Sequence, residues 1–87
     1  MKHFALPRFW RLYHQLPPEI QKLADKNFAL LKENSSHPSL QFKKITGKHE
    51  LWSARVGLNY RVLGRDHPEG VAWFWIGPHA EYDRVIS

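Results

Sequence analysis

Residues 73–86 read WFWIGPHAEYDRVI, and an apolar run from Trp73 to Ile76 gives way after Gly77 and Pro78 to His79, Glu81, Tyr82, Asp83 and Arg84. Imidazole titrates nearest neutral pH of all side chains, so His79 suits proton transfer in either direction. Upstream, LWSARVGLNYRVLG carries Arg55 and Arg61 on either side of a turn signal. Strand alternation sends Trp52, Ala54 and Val56 one way and Leu51, Ser53 and Arg55 the other, while Tyr60 and Val62 oppose Arg61, Leu63 and Arg65. With Trp52, Val56, Tyr60 and Val62 turned inward, Arg55 and Arg61 share one face. Two guanidiniums gathered there pack poorly, but each offers a planar fork of donors to phosphate oxygens. Lys43 or Lys44, just upstream, adds to the same field.

The elements that must carry these residues follow from periodicity. In PRFWRLYHQLPPEI, Phe9, Leu12, Tyr13 and Leu16 fall on one face of a helix of about two turns, which Pro17 and Pro18 end. Pro18 suits the first position of a second helix and Glu19 its positive end. Ile20, Leu23, Ala24, Phe28 and Leu31 form the apolar stripe of that helix, which should run to about Asn34, with Asn34 able to take a left-handed cap. After residue 40 the period becomes 2, and strands are predicted at 41–46, 51–56, 60–65 and 71–77, with turns at TGKH, GLN and DHPEG. Strands so closely spaced must form an antiparallel meander. A short first strand is expected at residues 2–6. The predicted fold is α+β: a single domain, residues 1–87, in which an N-terminal two-helix hairpin packs on one face of a small, mainly antiparallel sheet. A short helix or turn ends it, and the other face stays open.

Eighty-seven residues with 43% hydrophobic content have material for one core only. The absence of cysteine excludes disulfides and thiolate metal sites and permits a reducing compartment. No apolar run approaches the roughly 18 residues of a membrane span, and no signal peptide is apparent, so a cytoplasmic protein without membrane contact is expected. Thirteen Lys and Arg against eight Asp and Glu, a formal charge of +5, favour a polyanionic partner. His3, His14, His37, His49 and His67 show no ligand spacing with one another or with carboxylates, so neither a metal nor another cofactor is predicted.

LPPEIQKLADKNFALLKENSSHPSLQFKKI, LWSARVGLNYRVLG and WFWIGPHAEYDRVI, in this order, resemble the RelE/ParE superfamily of toxins from type II toxin–antitoxin modules, especially its HigB-like and YoeB-like ribonuclease members. The resemblance runs from about residue 9 onward. It implies cleavage of mRNA in the ribosomal A site, with a cognate antitoxin as partner and the toxin as a monomer within that complex. By position, Arg55 matches the arginine of the Trp-Ser-x-Arg strand, Arg61 that of the next strand, and His79 with Tyr82 the C-terminal His/Tyr pair. Lys43, Lys44, Lys48 and Arg65 are the expected RNA-backbone contacts. Some relatives place a carboxylate base near the basic strand, where this chain offers only Glu50.

The same superfamily includes ParE-like toxins that bind DNA gyrase and cleave nothing, and that alternative stays open at this level, as does an inactive binding module. The residues themselves also have structural readings. His79 could cap the Gly-Pro turn, Tyr82 could pack a short helix through Val85, and Arg55 or Arg61 could pair with Asp66 or Glu81. Trp73, Phe74 and Trp75 read chiefly as core.

Overall fold

The computed structural model describes residues 1–45 and 50–86. The expected TGKH turn, with Lys48, lies outside them. The chain order is β1 (Lys2–Ala5), α1 (Pro7–Tyr13), α2 (Pro18–Glu33), a 3-10 turn (Pro38–Leu40), β2 (Lys43–Ile45), β3 (Leu51–Val56), β4 (Tyr60–His67), β5 (Gly70–Pro78) and α3 (His79–Ile86). The five strands form one sheet in the order β1-β5-β4-β3-β2. From β2 to β5 the neighbours are antiparallel, as expected of a meander, and β1 adds a parallel edge strand against β5. No helix among the described residues is long and apolar enough to cross a membrane.

Both N-terminal helices start on proline, whose missing N–H costs nothing in the first turn. α1 starts two residues before the apolar periodicity does and stops at Tyr13. α2 stops at Glu33, and Asn34 has φ −152°, so the left-handed cap expected there does not form. The left-handed backbone occurs instead at Gln41, φ 46°, where the chain leaves the 3-10 turn for β2. Phe9 from α1 and Ala24 and Leu31 from α2 pack with Ala54, Val56, Val62, Val71, Trp73 and Ile76 to make the main core.

The opposite face of the sheet is not left open. Between Leu63 and Gly64 the register of β4 with β5 shifts by one: Leu63 pairs with Trp75 and Gly64 with Trp73, leaving Phe74 unpaired as a bulge. Phe74 and Trp75 therefore both leave the main core and join Leu63 and Tyr82 in a second cluster, onto which α3 packs with Val85 and Ile86. Strict alternation cannot predict this, since it holds only for an unbroken ladder. Gly64 makes room for the irregularity, because a Cβ there would lie 2.5 Å from Val71 Cγ1 and 2.9 Å from the Trp73 ring.

The β4–β5 hairpin turns on Pro68 and Glu69 and re-enters at Gly70, φ 157°. A Cβ on Gly70 would lie 1.9 Å from the Lys2 carbonyl oxygen. Gly70→Ala should therefore part β1 from β5 and cost about 2 kcal/mol or more, read as a lowered denaturation midpoint. His3 of β1 is buried at 8% exposure, and its Nδ1 accepts the indole N–H of Trp73 at 3.2 Å. Burial, then the N-terminal ammonium and Lys32, hold this imidazole below its ordinary 6.5. The unfolded chain then binds the proton more readily, so stability is full above about pH 6.5 and declines as the pH falls from there toward the folded-state value. In His3→Gln, whose amide oxygen can accept the same indole bond, thermal melts between pH 8 and 5 (roughly spanning that window) should show a flatter profile than the native chain.

Candidate functional site

The ladder brings the sequence's candidate residues to one end of the sheet. Arg55 and Arg61 are direct cross-strand partners of β3 and β4, and Arg61 faces Gly77 of β5 on its other side. β5 runs on through Pro78, paired with Tyr60, and His79 follows at once as the first residue of α3. Its N–H donates to the Asn59 carbonyl at 2.7 Å, which extends the contact one residue past the strand.

Arg61 Nε donates to His79 Nδ1 at 3.1 Å, and Nη1 donates to Gln41 Oε1 at 3.4 Å. An arginine can only donate, so His79 Nδ1 must carry the lone pair, and the proton of the neutral ring sits on Nε2. The Tyr82 ring stacks against that of His79 with centroids 5.7 Å apart and planes 20° from parallel, and the Arg61 guanidinium carbon lies 5.7 Å from the Tyr82 centroid. Tyr82 is 8% exposed and belongs to the second core cluster. It thus packs α3 on the sheet and floors the site at once. His79 is exposed.

Arg55 and Arg61 stand opposite each other, although like charges in that position destabilise a sheet. Among the described residues neither has a carboxylate within ion-pair distance. Arg55 Nε is buried without a partner, and so is the hydroxyl of Ser53 two residues before it on the same face. Orphaned donors beside an unneutralised pair of cations are the environment that an anion would complete. The backbone of Arg55 has a structural duty as well, since its carbonyl accepts from Asn27 Nδ2 at 2.9 Å and ties α2 to β3.

The lysines divide. Lys43 pairs with Ser53 and falls on the arginine face, whereas Lys44 pairs with Trp52 and falls on the helix face. There Lys44 Nζ lies 3.0 Å from Asp66 Oδ2 and 3.9 Å from Glu50 Oε2. Asp66 also accepts the Trp52 indole N–H at 2.7 Å, and these two donors hold its carboxyl below the usual carboxylate range. Asp66 is therefore engaged away from Arg55 and Arg61. Glu50 stands five residues before Arg55, about 16 Å along β3, so it is not placed to act at His79. Arg65 shares the arginine face at its far end. Among the described residues no group of three or more His, Cys, Asp or Glu converges. Gln41 has no signal in the sequence, because only the left-handed turn before β2 aims it at Arg61.

The site is an open surface. A concavity of about 540 Å³ lies beside it, between α2 (Leu23, Lys26, Leu30) and the β3–β4 turn (Gly57, Leu58), and Arg55 is the one site arginine that also lines it. An open cationic surface suits a polymer better than a small molecule, which is generally enclosed.

No curated protein matches the chain by sequence. Among solved structures it is similar to a chain of a RelB–RelE antitoxin–toxin complex from Methanococcus jannaschii, at 19% identity and TM-score 0.72 over 97% of this chain and 99% of that one. It is also similar to a chain of the toxin–antitoxin complex RelBE2 from Mycobacterium tuberculosis, at 25% identity and TM-score 0.67 over 90% and 96%. A third likeness is to an archaeal RelE–RelB complex from Pyrococcus horikoshii OT3, at 16% identity and TM-score 0.67 over 88% and 92%. The model of the ParE-like toxin domain matches residues 18–84, from the start of α2 into α3. A match over that span, with the sheet order and C-terminal helix described above, shows that the chain belongs to the ParE-like toxin domain family of the RelE/ParE superfamily.

Proposed function

We propose that this chain is the toxin of a toxin–antitoxin pair and that it cleaves mRNA on the ribosome by acid–base chemistry at His79. The contact of Arg61 with His79 across from Arg55 carries this reading: a proton-transfer group is held by one arginine that faces a second, and among the described residues neither arginine has a carboxylate within ion-pair distance. RNA cleavage needs a group to take the 2′-OH proton and positive charge to meet the charge that builds on the phosphate oxygens. The neutral His79 ring already has its lone pair at Nδ1, occupied by Arg61. When Arg61 turns its fork to a phosphate, that lone pair is released. The ring then takes the 2′-OH proton as the oxygen attacks phosphorus, the P–O5′ bond breaks, and the leaving oxygen is protonated by water.

In this reading Arg61 and Arg55 hold the scissile phosphate, Tyr82 fixes the plane of the imidazole, and Lys43 and Arg65 follow the backbone. Lys44 would contribute only after leaving Asp66, and Lys48 lies outside the described residues. The solved relatives are toxin–antitoxin complexes, and an unneutralised arginine face is the surface that an acidic antitoxin segment would cover.

Purified toxin added to translating ribosomes should cut mRNA, with cleavage mapped by primer extension. His79→Ala should lower the rate about 10²–10⁴-fold, and Arg61→Ala about 10²–10³-fold. Intact mRNA with both native and variant protein, together with loss of DNA supercoiling by gyrase, would replace the nuclease reading with gyrase inhibition. Arg55→Gln removes one of two opposed charges, so denaturant unfolding should show stability unchanged or raised by about 0.2–1 kcal/mol, while cleavage falls. A loss of stability greater than about 1 kcal/mol would make Arg55 a packing residue.

A further inference from the structure

The bulge on β5 sets Phe74 near the other end of the arginine face. Arg65 of β4 stands with its guanidinium carbon 4.8 Å from the Phe74 centroid, and Arg8, in the first turn of α1, stands 6.0 Å from it. Both arginines are exposed, and among the described residues neither is within ion-pair distance of a carboxylate. The acids at this end are engaged elsewhere, Glu69 with Lys2 and Asp66 with Lys44. A ring face attracts one exposed cation only weakly. A second guanidinium at the same ring adds like-charge repulsion, and Arg8 also sits at the end of α1 where the helix dipole disfavours a cation. The aromatic contact alone does not account for the pair. Arg65 lies four residues along β4 from Arg61, on the same face, about 13 Å away at the strand rise.

We propose that Arg8 and Arg65, held on the Phe74 ring, form a second phosphate-binding subsite for a single-stranded RNA whose scissile phosphate lies at Arg61. The proposal rests on the RNA reading of the His79 site and adds α1 to the surface that holds the strand. The ring restrains both side chains, so less rotamer freedom is lost when their planar forks meet phosphate oxygens. Contacts of this kind position the backbone and read no base, so the subsite is indifferent to sequence.

The test is binding of a short fluorescent single-stranded oligoribonucleotide, followed by anisotropy across a salt series. The proteins compared are the native chain, Arg8→Ala, Arg65→Ala, the double variant and Lys22→Ala, which removes one charge from the outer side of α2. Each single arginine variant should lower the slope of log K against log salt by about 0.7 and the double by about 1.4, while Lys22→Ala leaves it unchanged. Thermal midpoints confirm that each variant is folded. Equal slopes for native and double variant overturn the subsite, as does a loss in Lys22→Ala as large as that in Arg8→Ala, or a native protein that binds no oligonucleotide. Cleavage on translating ribosomes is scored separately. Native protein that cuts mRNA while the double variant binds like the native overturns the subsite and leaves the RNA reading standing; native protein that neither binds nor cuts overturns both.

Discussion

The ladder between β4 and β5 sets the position of every group at the cationic end of the sheet. Tyr60 stands against Pro78 and Arg61 against Gly77, and no loop separates Pro78 from His79, so the imidazole arrives beside Arg61 without a search. The bond from the His79 N–H to Asn59 fixes the first residue of α3 to the turn that precedes β4. That turn returns β3 so that Arg55 faces Arg61. Residues far apart in sequence are thus held together by backbone hydrogen bonding, and a group on a paired strand keeps its geometry better than one on a free loop.

The same ladder contains the irregularity that gives the molecule two packed faces. One extra residue at Phe74 moves Trp75 off the helix-hairpin face and onto the α3 face, where Leu63 is fully buried. α3 then has an apolar surface to cover. Its covering residue nearest the site, Tyr82, is in contact with both Arg61 and His79. Packing of α3 and geometry of the site are therefore one feature: whatever loosens Tyr82 from Leu63 and Trp75 also loosens the imidazole.

Charge is divided by face. On the helix side Lys44, Asp66, Glu50 and the Trp52 indole form a connected group at the β2 edge. On the α3 side Arg8, Arg55, Arg61 and Arg65 lie with aromatic rings or with one another, and with no paired carboxylate among the described residues. Net charge is a property of composition, but segregation of this kind is a property of strand parity: Lys43 and Lys44, adjacent in the chain, end on opposite sides of the sheet. A face of unopposed guanidiniums attracts a polyanion from a distance and offers forked donors on contact.

Much of this was legible in the chain alone. The proline that starts α2, the apolar stripe of α2, the change of period after residue 40 and the meander follow from local sterics and alternation, which act over a few residues. The sharing of a face by Arg55 and Arg61 follows from the same alternation, because β3 and β4 are regular where those residues sit. The order of motifs indicated the superfamily that the family match then showed. Other features depended on interactions that no short window contains. β1 returns to pair with β5, and its His3 is buried against Trp73. The bulge at Phe74 reverses the parity of Trp75, and Asp66 goes to Lys44 and Trp52 rather than to either arginine. Gln41 reaches Arg61 from a left-handed turn, and α3 closes the face that helix-hairpin packing alone would leave open. Periodicity records which side a residue takes within one unbroken element. Which elements meet, and where a ladder slips by one, is decided by how the whole set of side chains fills two cores at once.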